Sequence, residues 1–184
     1  MVSNSKSIVT TTVGYSCIAL SGWMISMSNA AWFPKFYETG QALMYALAIV
    51  LGVIAILTFL QSRTLDAVVF FGVAGLQLST CYAEKSMAGA MAPQSYVGWF
   101  VIIWAVFFCY VWLGSLKSGI LRMLYLLIFW LTLLALAIGD LGNLHSITLV
   151  GGYLGLITSI LAAIIAAWEI IEHGCKGDLN GAAA

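Results

Sequence analysis

Long apolar stretches, interrupted only by short polar clusters, run through almost the whole 184-residue chain. A stretch of about 20 apolar residues is long enough to cross the hydrocarbon core of a bilayer as a helix. Because these stretches do not alternate in polarity, they predict helices and not the strands of a barrel. The sequence therefore predicts an all-α integral membrane protein, with one domain over residues 1–184 and six helices near residues 8–31, 41–60, 64–82, 94–114, 120–139 and 148–171.

The composition excludes several classes of protein. Hydrophobic residues make up 62% of the chain and charged residues only 8%, whereas a soluble domain has roughly a quarter charged residues. Seven basic residues balance seven acidic ones, which leaves no basic surface for nucleic acid. We therefore exclude a soluble enzyme and a nucleic-acid-binding protein. The expected surroundings are the lipid bilayer of a plasma or inner membrane.

The basic residues predict the orientation of the helices. Five of them lie on the side that both termini share, namely Lys6, Arg63, Lys117, Arg122 and Lys176. The other two, Lys35 and Lys85, lie on the opposite side. Cytoplasmic loops carry the excess of Lys and Arg in membrane proteins. Both termini are therefore predicted to be cytoplasmic.

Catalytic and cofactor motifs are not found in the sequence. The two histidines, His145 and His173, lie in a loop and at a membrane edge, and neither Gly-x-Ser-x-Gly nor His-Glu-x-x-His occurs. The four cysteines form no Cys-x-x-Cys pair, so zinc and thioredoxin-like chemistry have no support. We predict no enzyme activity, no catalytic residue, no metal and no cofactor.

Ionisable residues lie at the ends of the predicted helices. Arg63 and Asp66 flank the third helix, Asp140 ends the fifth, and Glu169 and Glu172 end the sixth. An ionisable residue at mid-bilayer costs about 2.5–3.5 kcal/mol. We interpret these charges as markers of helix ends, which disfavours a voltage sensor or a central carboxylate relay.

The first helix is rich in small and polar residues, namely Thr10, Thr11, Thr12, Gly14, Ser16, Ser21, Gly22, Ser26, Ser28 and Asn29. Such hydroxyls either hold helices together, at about 0.6 kcal/mol each, or line a pathway for a small polar solute. The glycines predict close helix packing at Gly14 and along the sixth helix, where Gly151, Gly152 and Gly155 include a Gly-x-x-x-Gly spacing.

Several segments together resemble one known family, the acetate uptake transporters of the succinate–acetate permease type. The segments are Asn29-Ala30-Ala31-Trp32-Phe33, Gly114-Ser115-Leu116-Lys117-Ser118, Leu136-Ala137-Ile138-Gly139-Asp140 with Asn143, and Gly151-Gly152-Tyr153-Leu154-Gly155. The resemblance covers nearly the whole chain and keeps the helix order and the loop lengths.

The resemblance implies a homohexamer of six-helix protomers, each a channel or proton-linked transporter for acetate or similar small monocarboxylates. It places a narrow apolar constriction at Ile18, Val73 and Phe129. An apolar constriction excludes hydrated ions, whose desolvation is costly, but passes a neutralised acid. From their helix positions, Ser21, Asn29 and Gln77 are candidates to hydrogen-bond a solute along the pathway.

Two motifs of this family are altered in the chain, which is therefore a divergent member. The N-terminal Asn-Pro-Ala-Pro-Leu-Gly motif corresponds to residues 9–14, where only Gly14 is retained. On the second helix Leu51 stands at the pathway position where the family has glutamine. Both changes remove polar groups that could contact a carboxylate.

Two alternative functions follow from these losses. The first is a pore for a neutral small solute such as urea, ammonia or a short amide. The second is a structural subunit that moves nothing and packs within a larger membrane complex.

Overall fold

The computed structural model describes residues 2–33, 38–87 and 94–181, which form six α-helices and one 3-10 turn. The predicted six-helix, all-α class is confirmed. Lys35, which contributes to the predicted orientation, lies outside the described residues. The elements are α1 (Val2–Asn29), α2 (Glu38–Leu60), α3 (Thr64–Met87), α4 (Gln94–Gly114), the 3-10 turn (Ser115–Lys117), α5 (Ile120–Gly142) and α6 (His145–Gly181).

Five of these helices are long and apolar enough to cross a membrane. Helical structure is the expected result, because a helix satisfies its own backbone N–H and C=O groups where no water is available. Helix α1 is not among the five, since its apolar residues alternate with serines, threonines and glycines. The five candidate spans are Gly40–Leu60, Thr64–Tyr82, Tyr96–Lys117, Ile120–Gly142 and His145–Glu172.

The six helices form a ring. Each helix packs beside its neighbours in sequence, and α6 closes the ring by packing extensively along α1. The turn between α5 and α6 is short, with Asn143 in a left-handed conformation (φ 50°) that ends α5. Because consecutive helices run in opposite directions, α1, α3 and α5 begin at the same end of the bundle. We call this the basic end, since Arg63 and Arg122 lie there.

The apolar core lies inside the ring, and many large apolar side chains cover its outside. Tyr15, Phe70 and Tyr125 are at most 1% exposed. By contrast, Phe59 on α2 and Trp99 on α4 are more than 60% exposed. An apolar outer surface of this extent suits contact with lipid and not with water.

Candidate functional site

The alternate helices α1, α3 and α5 meet in the centre of the ring through their side chains. The Tyr15 ring from α1 lies 5.2 Å from the Phe70 ring of α3 and 5.7 Å from the Tyr125 ring of α5, both in edge-to-face geometry. The backbones of α1 and α3 approach each other at only a few points. Side chains therefore fill the centre of the ring.

The predicted constriction residues lie in this central region. Ile18 and Val73 are 3% and 2% exposed and belong to one apolar cluster. Phe129 is half-buried and packs against the same cluster, with its ring 4.5 Å from that of Phe108 and stacked 6.0 Å from that of Tyr125. The structure thus brings the three residues into one apolar layer, in which Ile18 and Val73 are closed to water.

A polar pair lies about one helical turn beyond this layer, away from the basic end. Gln77 Nε2 donates a 2.6 Å hydrogen bond to Ser21 Oγ, and the Ser21 hydroxyl donates to the Cys17 carbonyl at 2.7 Å. These bonds fix the orientation of the amide. Gln77 Oε1 is buried and has no hydrogen-bond partner among the described residues.

The unpaired Gln77 oxygen is an acceptor that lacks a donor. A buried polar atom left in this state costs about 1–3 kcal/mol, so it is a candidate binding group. It can accept a hydrogen bond from the O–H group of a neutral carboxylic acid or from an N–H group of an amide or urea. An ionised carboxylate has only acceptors and cannot satisfy it.

The other two predicted pathway residues lie in different surroundings. Leu51 is fully buried on α2 and belongs to the same apolar cluster as Ile18 and Val73. Asn29 is half-buried at the far end of α1, where its backbone lies against Gly152 of α6. Leu51 therefore adds apolar surface to the central cluster, whereas Asn29 lies at the opposite end of the bundle from Arg63 and Arg122.

Several hydroxyl groups among the described residues donate to a backbone carbonyl of their own helix. The hydroxyls of Thr58, Thr132, Thr158 and Ser159 each donate to the carbonyl four residues earlier, at 2.7–2.9 Å. On α1, the pair with Gln77 distinguishes Ser21 from them.

The glycines named from the sequence lie at close helix contacts. A Cβ atom at Gly14 would lie 2.6 Å from Cε2 of the Phe70 ring, and one at Gly151 would lie 2.7 Å from Cδ2 of Leu136. A Cβ atom at Gly152 would meet the backbone of α1, and one at Gly155 would meet Ser26. Gly14 thus makes room for the Phe70 ring of α3 beside α1, whereas Gly151, Gly152 and Gly155 allow α6 to approach α5 and α1.

A cluster of four charged residues lies at the basic end of the bundle. Asp66 Oδ2 accepts from Arg63 Nε at 3.1 Å and lies 3.6 Å from Arg122 Nη1. Glu169 Oε1 lies 2.7 Å from Arg122 Nη2 and 3.6 Å from Arg63 Nη2. We call Arg63, Asp66, Arg122 and Glu169 the charge cluster.

Helix α1 also contacts the charge cluster. The Tyr15 hydroxyl donates to Asp66 Oδ1 at 3.2 Å, and Arg63 Nη1 donates to the Thr11 hydroxyl at 2.6 Å. Sequence reasoning treated these charges as separate helix ends and did not predict the cluster. The available signal was that all four lie at the same end of an antiparallel bundle and carry balancing charges.

Comparison with known proteins identifies the family. A family model described as GPR1/FUN34/yaaH matches residues 67–175, which is more than half of the chain. The chain belongs to the GPR1/FUN34/yaaH family. The matched part runs from the start of α3 into α6 and leaves out α1 and α2, the helices in which the two family motifs are altered.

A solved structure has the same fold as this GPR1/FUN34/yaaH family member. The bacterial acetate channel SatP matches it with a TM-score of 0.85 at 17% sequence identity, over 90% of this chain and 93% of that one. A search of curated protein sequences finds no match. The family, the fold and the apolar helices identify a multi-pass protein of the cell membrane.

Proposed function

We propose that this protein is a channel or proton-linked transporter for acetate or similar small monocarboxylates. The observation that carries the proposal is its fold, which matches that of the bacterial acetate channel SatP over nine tenths of the chain. Membership of the GPR1/FUN34/yaaH family supports it independently. The proposed function is transport and not catalysis.

The proposed pathway runs through the centre of each protomer. Its apolar constriction is formed by Ile18, Val73 and Phe129. A polar binding site beside the constriction is formed by Ser21 and Gln77. Asn29 lies along the route toward the end opposite the basic end, and Leu51 lines it near the constriction. The support for this route is the burial of five of these residues together with the unpaired Gln77 oxygen; the five are Ile18, Ser21, Leu51, Val73 and Gln77.

We further propose that the protomers assemble as a homohexamer with both termini in the cytoplasm. Two apolar grooves on the outside of the bundle provide surface for neighbouring copies. One, of about 580 Å³, lies between α2, α3 and α4, and the other, of about 430 Å³, lies between α1 and α6. In this orientation the basic end faces the cytoplasm.

The function is tested by solute uptake into proteoliposomes that contain the purified protein. Labelled acetate and labelled urea are compared at acidic and neutral pH, with empty liposomes as the control. The proposal is supported if labelled acetate is taken up and excess unlabelled acetate reduces that uptake. Uptake of urea alone indicates a neutral-solute pore, and no uptake by correctly assembled protein indicates a structural subunit.

Acetate uptake is expected to rise as the external pH falls. Between pH 8 and about pH 5 the neutral fraction of a carboxylic acid increases by roughly three orders of magnitude. Only the neutral acid crosses an apolar constriction cheaply and can donate to Gln77 Oε1. At matched total acetate, initial uptake at pH 5 should exceed that at pH 8 at least tenfold, after subtraction of empty-liposome flux. Equal rates would exclude the neutral acid as the permeant species.

Replacing Gln77 by leucine is expected to weaken acetate binding and to leave the fold intact. The substitution removes an unpaired acceptor together with the hydrogen bond from Gln77 Nε2 to Ser21 Oγ. Because the Ser21 hydroxyl still donates to the Cys17 carbonyl, thermal stability should change little. The loss of one hydrogen bond to the solute, about 1 kcal/mol, should raise the apparent KM about fivefold. The matched control is Thr80→Val, since the Thr80 hydroxyl donates to the Leu76 carbonyl of its own helix. An unchanged KM in Gln77→Leu would remove Gln77 from the pathway.

A further inference from the structure

The charge cluster is more than a set of residues at helix ends. Its members come from the turn before α3, from α3, from α5 and from α6, and both guanidinium groups contact both carboxylates. The Asp66 side chain is only 3% exposed and that of Glu169 12%, while each arginine is 25% exposed. Two positive and two negative charges give a formal sum of zero.

Tyr15 connects the charge cluster to the proposed pathway. Its hydroxyl donates to Asp66, and its ring packs against Phe70 and Tyr125 in the centre of the ring. Ile18 of the constriction lies one helical turn further along α1. A solute that passes the constriction toward the basic end therefore meets the charge cluster next.

The chemistry of the charge cluster bears directly on an ionised acid. A guanidinium group binds a carboxylate with charge-assisted, often bidentate hydrogen bonds. In this protein Asp66 and Glu169 already occupy both guanidinium groups. A free carboxylate must compete with two carboxylates that the fold holds in place, whereas a neutral acid needs no such partner.

We propose that Asp66 and Glu169 determine the preference of the pathway for uncharged over ionised solutes, because they occupy Arg63 and Arg122, which would otherwise bind the solute's carboxylate. This inference rests on the proposed function. It assigns a specificity role to two residues that lie outside the constriction.

A donor for a bound anion is also available beside the charge cluster. The Tyr125 hydroxyl is fully buried and has no hydrogen-bond partner among the described residues. Tyr125 lies one turn after Arg122 on α5 and packs edge-on against Tyr15. An anion bound beside Arg122 would therefore have an unpaired phenol one helical turn away.

The first test measures acetate uptake at pH 8, where acetate is ionised, with and without an inside-positive membrane potential. Glu169→Gln removes one negative charge with little change in volume. We expect its acetate uptake to rise severalfold with the potential, whereas wild-type uptake does not respond. The matched control is Glu172→Gln, an exposed carboxylate one turn away that accepts from Trp168 Nε1, which should behave like wild type.

A double variant separates charge from structural damage. Arg122→Gln combined with Glu169→Gln removes one charge of each sign and restores neutrality, so its uptake should again be independent of the potential. If wild type takes up acetate and Glu169→Gln shows no potential-dependent uptake, the inference is overturned while the proposed function stands. If wild type takes up no acetate, the proposed function fails.

The second test needs no transport. Glu169→Ala leaves Arg122 without its closest carboxylate, which is costly for a partly buried charge. At pH 8, added sodium acetate should raise the thermal unfolding temperature of the detergent-solubilised variant by several degrees more than that of wild type. Sodium chloride of equal ionic strength and acetamide, the neutral isostere, should not. Equal shifts for variant and wild type would show that the vacated position does not bind a carboxylate.

Discussion

Substituting alanine for Gly152 is expected to separate α1 from α6 and to destabilise the protein strongly. A Cβ atom at this position would lie 2.6 Å from the carbonyl carbon of Asn29 and 2.8 Å from Cα of Ala30. Both are backbone atoms of α1, so no side-chain rotation can relieve the contact. Overpacking typically costs about 1–3 kcal/mol, and we expect the upper part of that range.

The measurement is the thermal unfolding temperature of the purified protein in mild detergent. Gly52→Ala on α2 is the matched control, since a Cβ atom there meets no neighbouring atom within 4 Å. Alanine is the better helix former by about 1 kcal/mol, so the control should be unchanged or slightly stabilised. If Gly152→Ala unfolds at the wild-type temperature, α1 and α6 are not packed as described.

Substituting tryptophan for Ile18 is expected to abolish acetate uptake. Ile18 is buried in the proposed constriction, and the larger side chain leaves no space for a solute between α1, α3 and α5. Ile18→Ala should act in the opposite direction and increase uptake, because it widens the same point. Opposite effects of the two substitutions cannot both arise from loss of stability.

The control for a bulky side chain is Ile103→Trp on α4. Ile103 is 69% exposed on the outside of the bundle and lines neither of the two apolar grooves. Its replacement should leave uptake within about twofold of wild type, since surface substitutions have small effects. Normal uptake by Ile18→Trp would place the route of the solute elsewhere.

The fold could be predicted from the sequence because few backbone structures are stable in lipid. Long apolar stretches in a bilayer form helices, and short turns make consecutive helices antiparallel neighbours. The same reasoning identified Gly151, Gly152 and Gly155 as packing positions, since only small residues let helices approach closely. The sequence pattern could not show which helix each glycine faces. Gly151 faces Leu136 of α5, whereas Gly152 faces Ala30 of α1.

The charge cluster was not predicted, and the reason is geometric. Arg63 and Glu169 are more than 100 residues apart in sequence. The apolar pattern places each of them at a helix end but does not determine the direction around the helix axis in which its side chain points. Their pairing depends on α6 returning to α1 to close the ring. The unpaired oxygen of Gln77 could not be predicted for the same reason, since it depends on the hydrogen bond that Gln77 on α3 makes to Ser21 on α1.

The central claim is that acetate crosses the membrane through this protein. Its most direct test is the initial uptake of labelled acetate at about pH 5 by proteoliposomes that contain the wild-type protein, measured against empty liposomes and with excess unlabelled acetate. We expect uptake well above that of empty liposomes, and we expect excess unlabelled acetate to suppress it. Uptake equal to that of empty liposomes, from protein shown to be folded and correctly inserted, would contradict it.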